Sequence, residues 1–375
     1  MHFPPIGRHL LLASFSLLLL TACGGGGSIP APVTPPAPIE VAPVVWQPAD
    51  SAEWPVSPAA AEGLSATALD IAYQQGRNTS GLAALLVVKG GRLVGEAYYP
   101  ESANTLLPLG AITQQVVASL VGIAIAEGKI SSVELPVYRV LAAEYGGLLN
   151  NKSTLTVGHL LTMSSGLSWN EQDATEQKWR QQPDPIRYIL QRDLLTTPGS
   201  EFRLNSAATQ LLAAVLKKTT GQSIADYAKQ KLFTPLGINQ FQWTQLADGY
   251  HNAADGLQLR ARDLAKLALL WQQGGRWQQQ QLIPAAFMLT ATEAKLPVIG
   301  QLAGIGVSHY GYATWLGQWR NQTLWVSRGL AGQLVLTLPA QQVSLMMLTK
   351  SAPTDPQQQE QVLTQFALTR LLSLF

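Results

Sequence analysis

The sequence predicts an α+β fold: an antiparallel sheet drawn from both ends of one domain, flanked by helices, with an all-helical insertion between them. Three observations carry this. Leu82–Val88 and Arg92–Tyr99 are apolar runs on either side of Lys89-Gly90-Gly91, the pattern of a β-hairpin. Trp325–Leu338 and Val343–Thr349 repeat that pattern around Ala340-Gln341-Gln342. Between the two, apolar residues recur at helical spacing, and strands segregated from helices in this way mark α+β.

Residues 1–22 read as an address. Arg8 and His9 precede an apolar run, Leu10–Leu20, too short to span a bilayer and typical of a signal peptide. Leu20-Thr21-Ala22-Cys23 resembles a bacterial lipobox, which implies cleavage before Cys23 and lipidation of its thiol. Gly24, rather than Asp, fits sorting to the outer membrane, with the protein on its periplasmic face. Cys23 is the only cysteine, so no intrachain disulfide can form. Residues 23–45 are rich in glycine and proline and have no apolar face, as suits a disordered tether.

Residues 46–375 are long enough for one large domain or two intimately packed parts. The expected division is an α/β part, about 46–110 and 300–375, and a helical part, about 131–299. Charged residues are 13% of the chain, the formal net charge is +2, and there is no basic block. That argues against a nucleic-acid partner.

Within this domain Ser65 is placed to cap a helix through Leu69 and Tyr73. Pro108–Ile130 reads as a buried core helix, with Val116, Val117, Leu120, Val121, Ala124 and Ile125 at helical spacing and Gly128 at its end. Leu211–Leu216 lies in another helix. Ala261–Lys266 opens an amphipathic one through Leu267, Leu270 and Trp271, which Gly274-Gly275 stops. A last helix, about Asp355–Leu372, is expected to turn Val362, Phe366 and Leu371 inward.

Five blocks, in order, resemble the superfamily of serine β-lactamases, penicillin-binding proteins, esterases and 6-aminohexanoate-dimer hydrolases. They are Gly122 with Glu127-Gly128-Lys129-Ile130, Thr162–Leu167, Pro198–Phe202, Leu232–Gly237 and Ala261–Lys266. The resemblance implies an acyl-transfer cleft with three motifs. The first is S-x-x-K at the start of the core helix, where residues three apart share a face and bring amine to hydroxyl. This chain has Ala111 and Gln114 there: no nucleophile and no useful base. The second is a Y-x-N or Y-x-S triplet, which here reads Leu204-Asn205-Ser206, without the phenol. The third is a strand triplet, K-T-G or a relaxed variant, which here reads Ser327-Arg328-Gly329 and keeps the glycine.

Ser206, Ser327, Arg328 and Gly329 are therefore the candidate cleft-lining residues, with Ser206 expected to cap the following helix. Ser164 and Ser165 read as turn and cap residues, and neither sits in a G-x-S-x-G elbow. Thr175–Lys178 and Thr292–Lys295 have nucleophile–lysine spacing but lie in polar stretches outside the five blocks. His159, His251 and His309 are scattered without ligand spacing, so no metal or cofactor is expected.

The reading that follows is an envelope lipoprotein, anchored to the membrane through Cys23, whose hydrolase-like cleft binds without turning over. Its candidate ligands are a peptidoglycan fragment, a small amide or ester, or an envelope protein. The alternative is a hydrolase with a rearranged site built on Ser206 or Ser327. A third arrangement has Leu204 and Trp315 filling the old substrate space.

Overall fold

The structure, a computed structural model, describes residues 42–49, 53–298, 301–302, 304–350 and 353–375. The signal segment, Cys23 and all of the tether up to residue 41 lie outside the described residues. No helix among the described residues is long and apolar enough to cross a membrane.

The centre is an antiparallel sheet. Its main strands are β1 (Leu82–Lys89), β2 (Arg92–Tyr98), β3 (Leu296–Pro297), β4 (Ile305–Tyr310), β5 (Trp315–Trp319), β6 (Gln322–Arg328), β7 (Leu334–Leu338) and β8 (Val343–Thr349). They lie in the order β2-β1-β8-β7-β6-β5-β4-β3, so the first hairpin and the last pair side by side. The register sets Leu86 opposite Met346 on one side and Glu96 on the other. Gly90 and Gly91 both have positive φ, +58° and +78°, as a tight hairpin turn between right-twisted strands requires.

Every residue of β1 from Leu82 to Val88 is buried, because both faces of the sheet are covered. Side chains alternate across a strand, so β1 feeds two cores. Leu85 and Val87 join Leu69 and Tyr73 of α1 (Ala66–Gly76). Ala84, Leu86 and Val88 join Val116 and Leu120 of the core helix, α2 (Thr113–Ala126). Ser65 caps α1 by accepting from the Ala68 amide at 3.2 Å. The helical insertion follows: α3 (Val137–Leu149), α4 (Val157–Leu161) and α5 (Ala208–Thr220), with α6 (Ala261–Gln272) lying on β1 and β8. α7 (Pro356–Phe366) and the turns through Leu374 close the chain against α1.

Two expectations are corrected. Trp325–Leu338 is not one strand: the chain turns at residues 329–333, and β6 and β7 pair with Ser327 opposite Val335. Gly329 donates its amide to the Gln333 carbonyl at 2.8 Å, and Gly332 adopts φ +91°, so two glycines break the apolar run. In α7, Val362 is 43% exposed, whereas Leu363 is fully buried beside Phe366 and Leu371. One residue rotates a helical side chain by about 100°, which carries Val362 off the inner face.

Candidate active site

The three motif positions meet where the start of α2 abuts the end of β6. Gly110–Ile112 forms a tight 3-10 turn that leads into α2. Gly110 has φ +56°, and a Cβ on it would stand 3.1 Å from the Cα of Gly329, so this turn and the end of β6 touch through two glycines. Ala111 and Gln114, one turn apart, line the same cavity. Its volume is about 160 Å³, and Leu204, Ser206, Ser327 and Arg328 also line it. Six of the seven positions singled out in the motifs thus share one cavity, and Gly329 adjoins it through Gly110. Leu204 and Trp315 form part of its wall and leave it open. It runs into a wider groove of about 580 Å³, the two sharing Ala111, Glu171, Gln177, Ser206 and Leu330.

Each polar group has a different status. Ser327 is buried on β6 and its hydroxyl donates to Gln115 Oε1. Gln115 Nε2 in turn donates to Thr314 Oγ1 at 3.2 Å, and Thr314 Oγ1 donates to the Tyr312 carbonyl at 3.2 Å. This buried chain ties strand, helix and loop together. Arg328 is paired through Nη1 with Glu360 of α7. Burial pushes the Glu360 carboxyl above the ordinary carboxylate range, and the neighbouring Arg328 opposes that shift.

Ser206 does not cap α5. The cap position is Ala207, one residue later, which has no side chain to cap with, and Asn205 Oδ1 accepts from the Ala208 amide at 2.9 Å across the turn that leads into the helix. Ser206 gives its own amide to Glu171 Oε1 at 2.5 Å, and its hydroxyl makes no hydrogen bond to any described residue. Gln114 is 4% exposed, and its side-chain amide makes no hydrogen bond to any described residue; Nε2 is wholly buried.

The remaining wall is aromatic. Phe202, Tyr310 and Trp315 form a mutual cluster with ring centroids 5.0–5.2 Å apart, and Tyr310 and Trp315 line the cavity. Burial raises the Tyr310 phenol above its ordinary range, Arg328 pulling weakly the other way. Glu171 and Tyr310 were not singled out by any motif. Glu171 sits in a polar irregular stretch with no signature, and the only hint of Tyr310 was an aromatic residue near Trp315.

The other candidates lie elsewhere. Thr162 and Ser164 hydroxyls bond at 2.8 Å, and Ser165 Oγ accepts from the Leu167 amide at 3.4 Å, as turn residues do. His159 forms a capping box with Thr156, and burial lowers its pKa. His251 lies edge-on to Trp243, and burial lowers its pKa too. His309 Nδ1 contacts the adjacent Ser308 hydroxyl at 3.0 Å on β4, and neither residue lines the cavity. Thr292 donates to the Met288 carbonyl at 3.0 Å and Lys295 pairs with Glu293, so they form no nucleophile–base couple. Nothing is described of the Thr175 side chain. Among the described residues no lysine or histidine lines the cavity. Among the described residues no group of three or more His, Cys, Asp or Glu side chains could hold a metal ion.

A family model described as Beta-lactamase matches residues 67–368. No curated protein matches the chain. Among solved structures the chain is similar to a penicillin-binding protein homolog from Caulobacter crescentus, at 16% identity over 81% of this chain and 97% of that one, with a TM-score of 0.62. It is similar to the octameric penicillin-binding protein homologue from Pyrococcus abyssi, at 19% identity over 78% and 74%, with a TM-score of 0.60. It is also similar to EstCE1, a hydrolase with promiscuous acyltransferase activity, at 16% identity over 82% and 99%, with a TM-score of 0.65. Those identities speak for the fold, which is the β-lactamase/transpeptidase-like α+β architecture, and the family match covers both the sheet and its helical insertion. The chain belongs to the β-lactamase family of serine hydrolase-like proteins.

Proposed function

We propose that this member of the family is catalytically inactive and that its cleft binds a ligand without acylation. One observation carries the reading: the cavity's helix wall offers Ala111 and Gln114, no nucleophile and no base, while Ser327, the nearest buried hydroxyl on the strand wall, is committed to Gln115. Acyl transfer needs a nucleophile within reach of a base. Among the described residues no seryl hydroxyl in the cavity hydrogen-bonds a lysine, histidine or tyrosine. Losing a nucleophile or its base lowers rates by orders of magnitude, and here both are replaced, along with the Leu204 phenol position. We further propose a bacterial envelope lipoprotein, anchored through Cys23 on the periplasmic face of the outer membrane, on the strength of the Leu20–Cys23 motif.

Intact-mass spectrometry of the purified full chain tests both parts. After incubation with a fluorophosphonate or a penicillin, the expected mass is unchanged, and a stoichiometric covalent adduct overturns the reading. The double change Ala111→Ser with Gln114→Lys is expected to acquire the fluorophosphonate label, which establishes that labelling is detectable in this cleft. The same spectrum reads the N-terminus: a chain beginning at Cys23 with added acyl mass is expected, and an unmodified cysteine overturns the anchor.

A further inference from the structure

We infer that the vacated cavity is selective for a small organic cation: an apolar or aromatic body of about benzene size bearing a primary ammonium. The inference rests on the reading that the cleft binds without acylation, and it names the class of ligand held there.

Charge comes first. Of the ionised side chains that line the cavity and its groove, Arg328 is paired with Glu360 and Arg180 with Asp255. Glu171 is the exception. One of its oxygens accepts from the Ser206 amide, and among the described residues the other has no partner and no cation is paired with it. Glu171 lines both the cavity and the groove, so its negative charge stands at their junction. A carboxylate ligand would meet this charge with the nearby guanidinium already neutralised. An ammonium would be attracted to it, and a charge pair in a partly enclosed site is stronger than in open water.

Polar satisfaction is the second, independent observation. Gln114 lines the cavity almost wholly buried, and its amide bonds to no described residue. Its wholly buried atom is Nε2, an N–H donor that an ammonium cannot satisfy, but Oε1 also accepts from no described residue and is the end of the amide that a donor on a ligand can engage. An ammonium presents three donors, and among the described residues the acceptors that line the cavity without a donor of their own are the second Glu171 oxygen, the Ser206 hydroxyl and Gln114 Oε1.

Shape sets the body of the ligand. A cavity of about 160 Å³ matches in scale an apolar protein cavity known to hold benzene. Its walls include Leu204, Ala313, Tyr310 and Trp315, an apolar lining that suits a flat hydrocarbon group; the Trp315 ring itself already has the Arg328 guanidinium 6.0 Å from its centroid. Leu330, 51% exposed, lines both the cavity and the groove and adds an apolar side chain at their junction.

The test is isothermal titration of the unlabelled full chain with three probes matched in size: phenethylamine, 2-phenylethanol and 3-phenylpropionate. The expected order is amine tightest and carboxylate weakest, with the amine favoured over the carboxylate by about tenfold or more. Glu171→Gln, which keeps an acceptor for the Ser206 amide, should bring the three affinities to within a few-fold of one another. Equal or tighter binding of the carboxylate by the unaltered chain overturns the inference. So does a preference that survives Glu171→Gln, or absence of binding by all three probes. These outcomes are separate from the mass-spectrometric one: no adduct with no amine preference removes only the ligand class, whereas an adduct removes the binding-only reading itself.

Discussion

Two buried polar clusters on helices of this protein are satisfied to different degrees in the fold. In α6, Asp263 is fully buried and accepts from Arg260 at 2.7 and 2.9 Å, while Lys266, 2% exposed, donates to it at 3.3 Å and to the Gly237 carbonyl at 3.5 Å. In the first turn of α2, Gln114 is almost as buried and bonds to nothing described, whereas its neighbour Gln115 is engaged at both ends by Ser327 and Thr314. The α6 cluster is closed. Charges taken out of water are tolerated only when paired and hydrogen-bonded, and once so paired they have nothing left to offer a ligand. The α2 pair divides the work: Gln115 fastens the strand, and Gln114 is left facing a cavity. Burial alone therefore does not mark a functional side chain, and the unfilled hydrogen-bond capacity beside open space does.

The contrast can be broken most forcefully at α6. Asp263→Ala leaves Lys266 buried without its counter-charge and should destabilise the protein by about 3–5 kcal/mol, read by urea denaturation. A smaller loss would mean that the cluster is not closed. At the fastening, Ser327→Ala removes the donor to Gln115 Oε1 and should cost about 1–3 kcal/mol in the same assay, the range for a buried acceptor left unmet. Gln114→Leu should go the other way. Exchanging an amide without partners for an apolar side chain of similar reach is expected to stabilise the ligand-free protein by roughly 1 kcal/mol. If that variant is instead as unstable as Ser327→Ala, Gln114 is a fastener like Gln115.

Much of the candidate site was legible because its positions hang on fixed spacing. A helix carries residues 111 and 114 to one face whatever their chemistry, and the glycine that ends the strand triplet locates the opposite wall. The sheet was legible at its two hairpins for the same reason: alternating apolar runs and turn residues leave little choice of register. What escaped was set by irregular backbone. Glu171 arrives on a polar segment with no period to read. Tyr310 lies beyond a register shift between Val307 and His309 in β4, where the inward alternation of Ile305 and Val307 skips a residue before Tyr310 turns in. Val362 was assigned inward by a pattern that holds one residue later, at Leu363. Ser206 was expected to cap a helix whose cap position is Ala207, a one-residue ambiguity that spacing does not resolve.

The pairing of Arg328 with Glu360 makes the last helix a counterweight to the cleft. Glu360 lines no part of the cavity, yet it decides whether the guanidinium on the wall counts as a charge or as a neutral pair. A change that loosens α7 would set a positive charge free among the residues that line the cavity with Glu171, and the inferred preference for amines should then weaken. Selectivity at the cleft would thus depend partly on Glu360, a side chain that lines none of it.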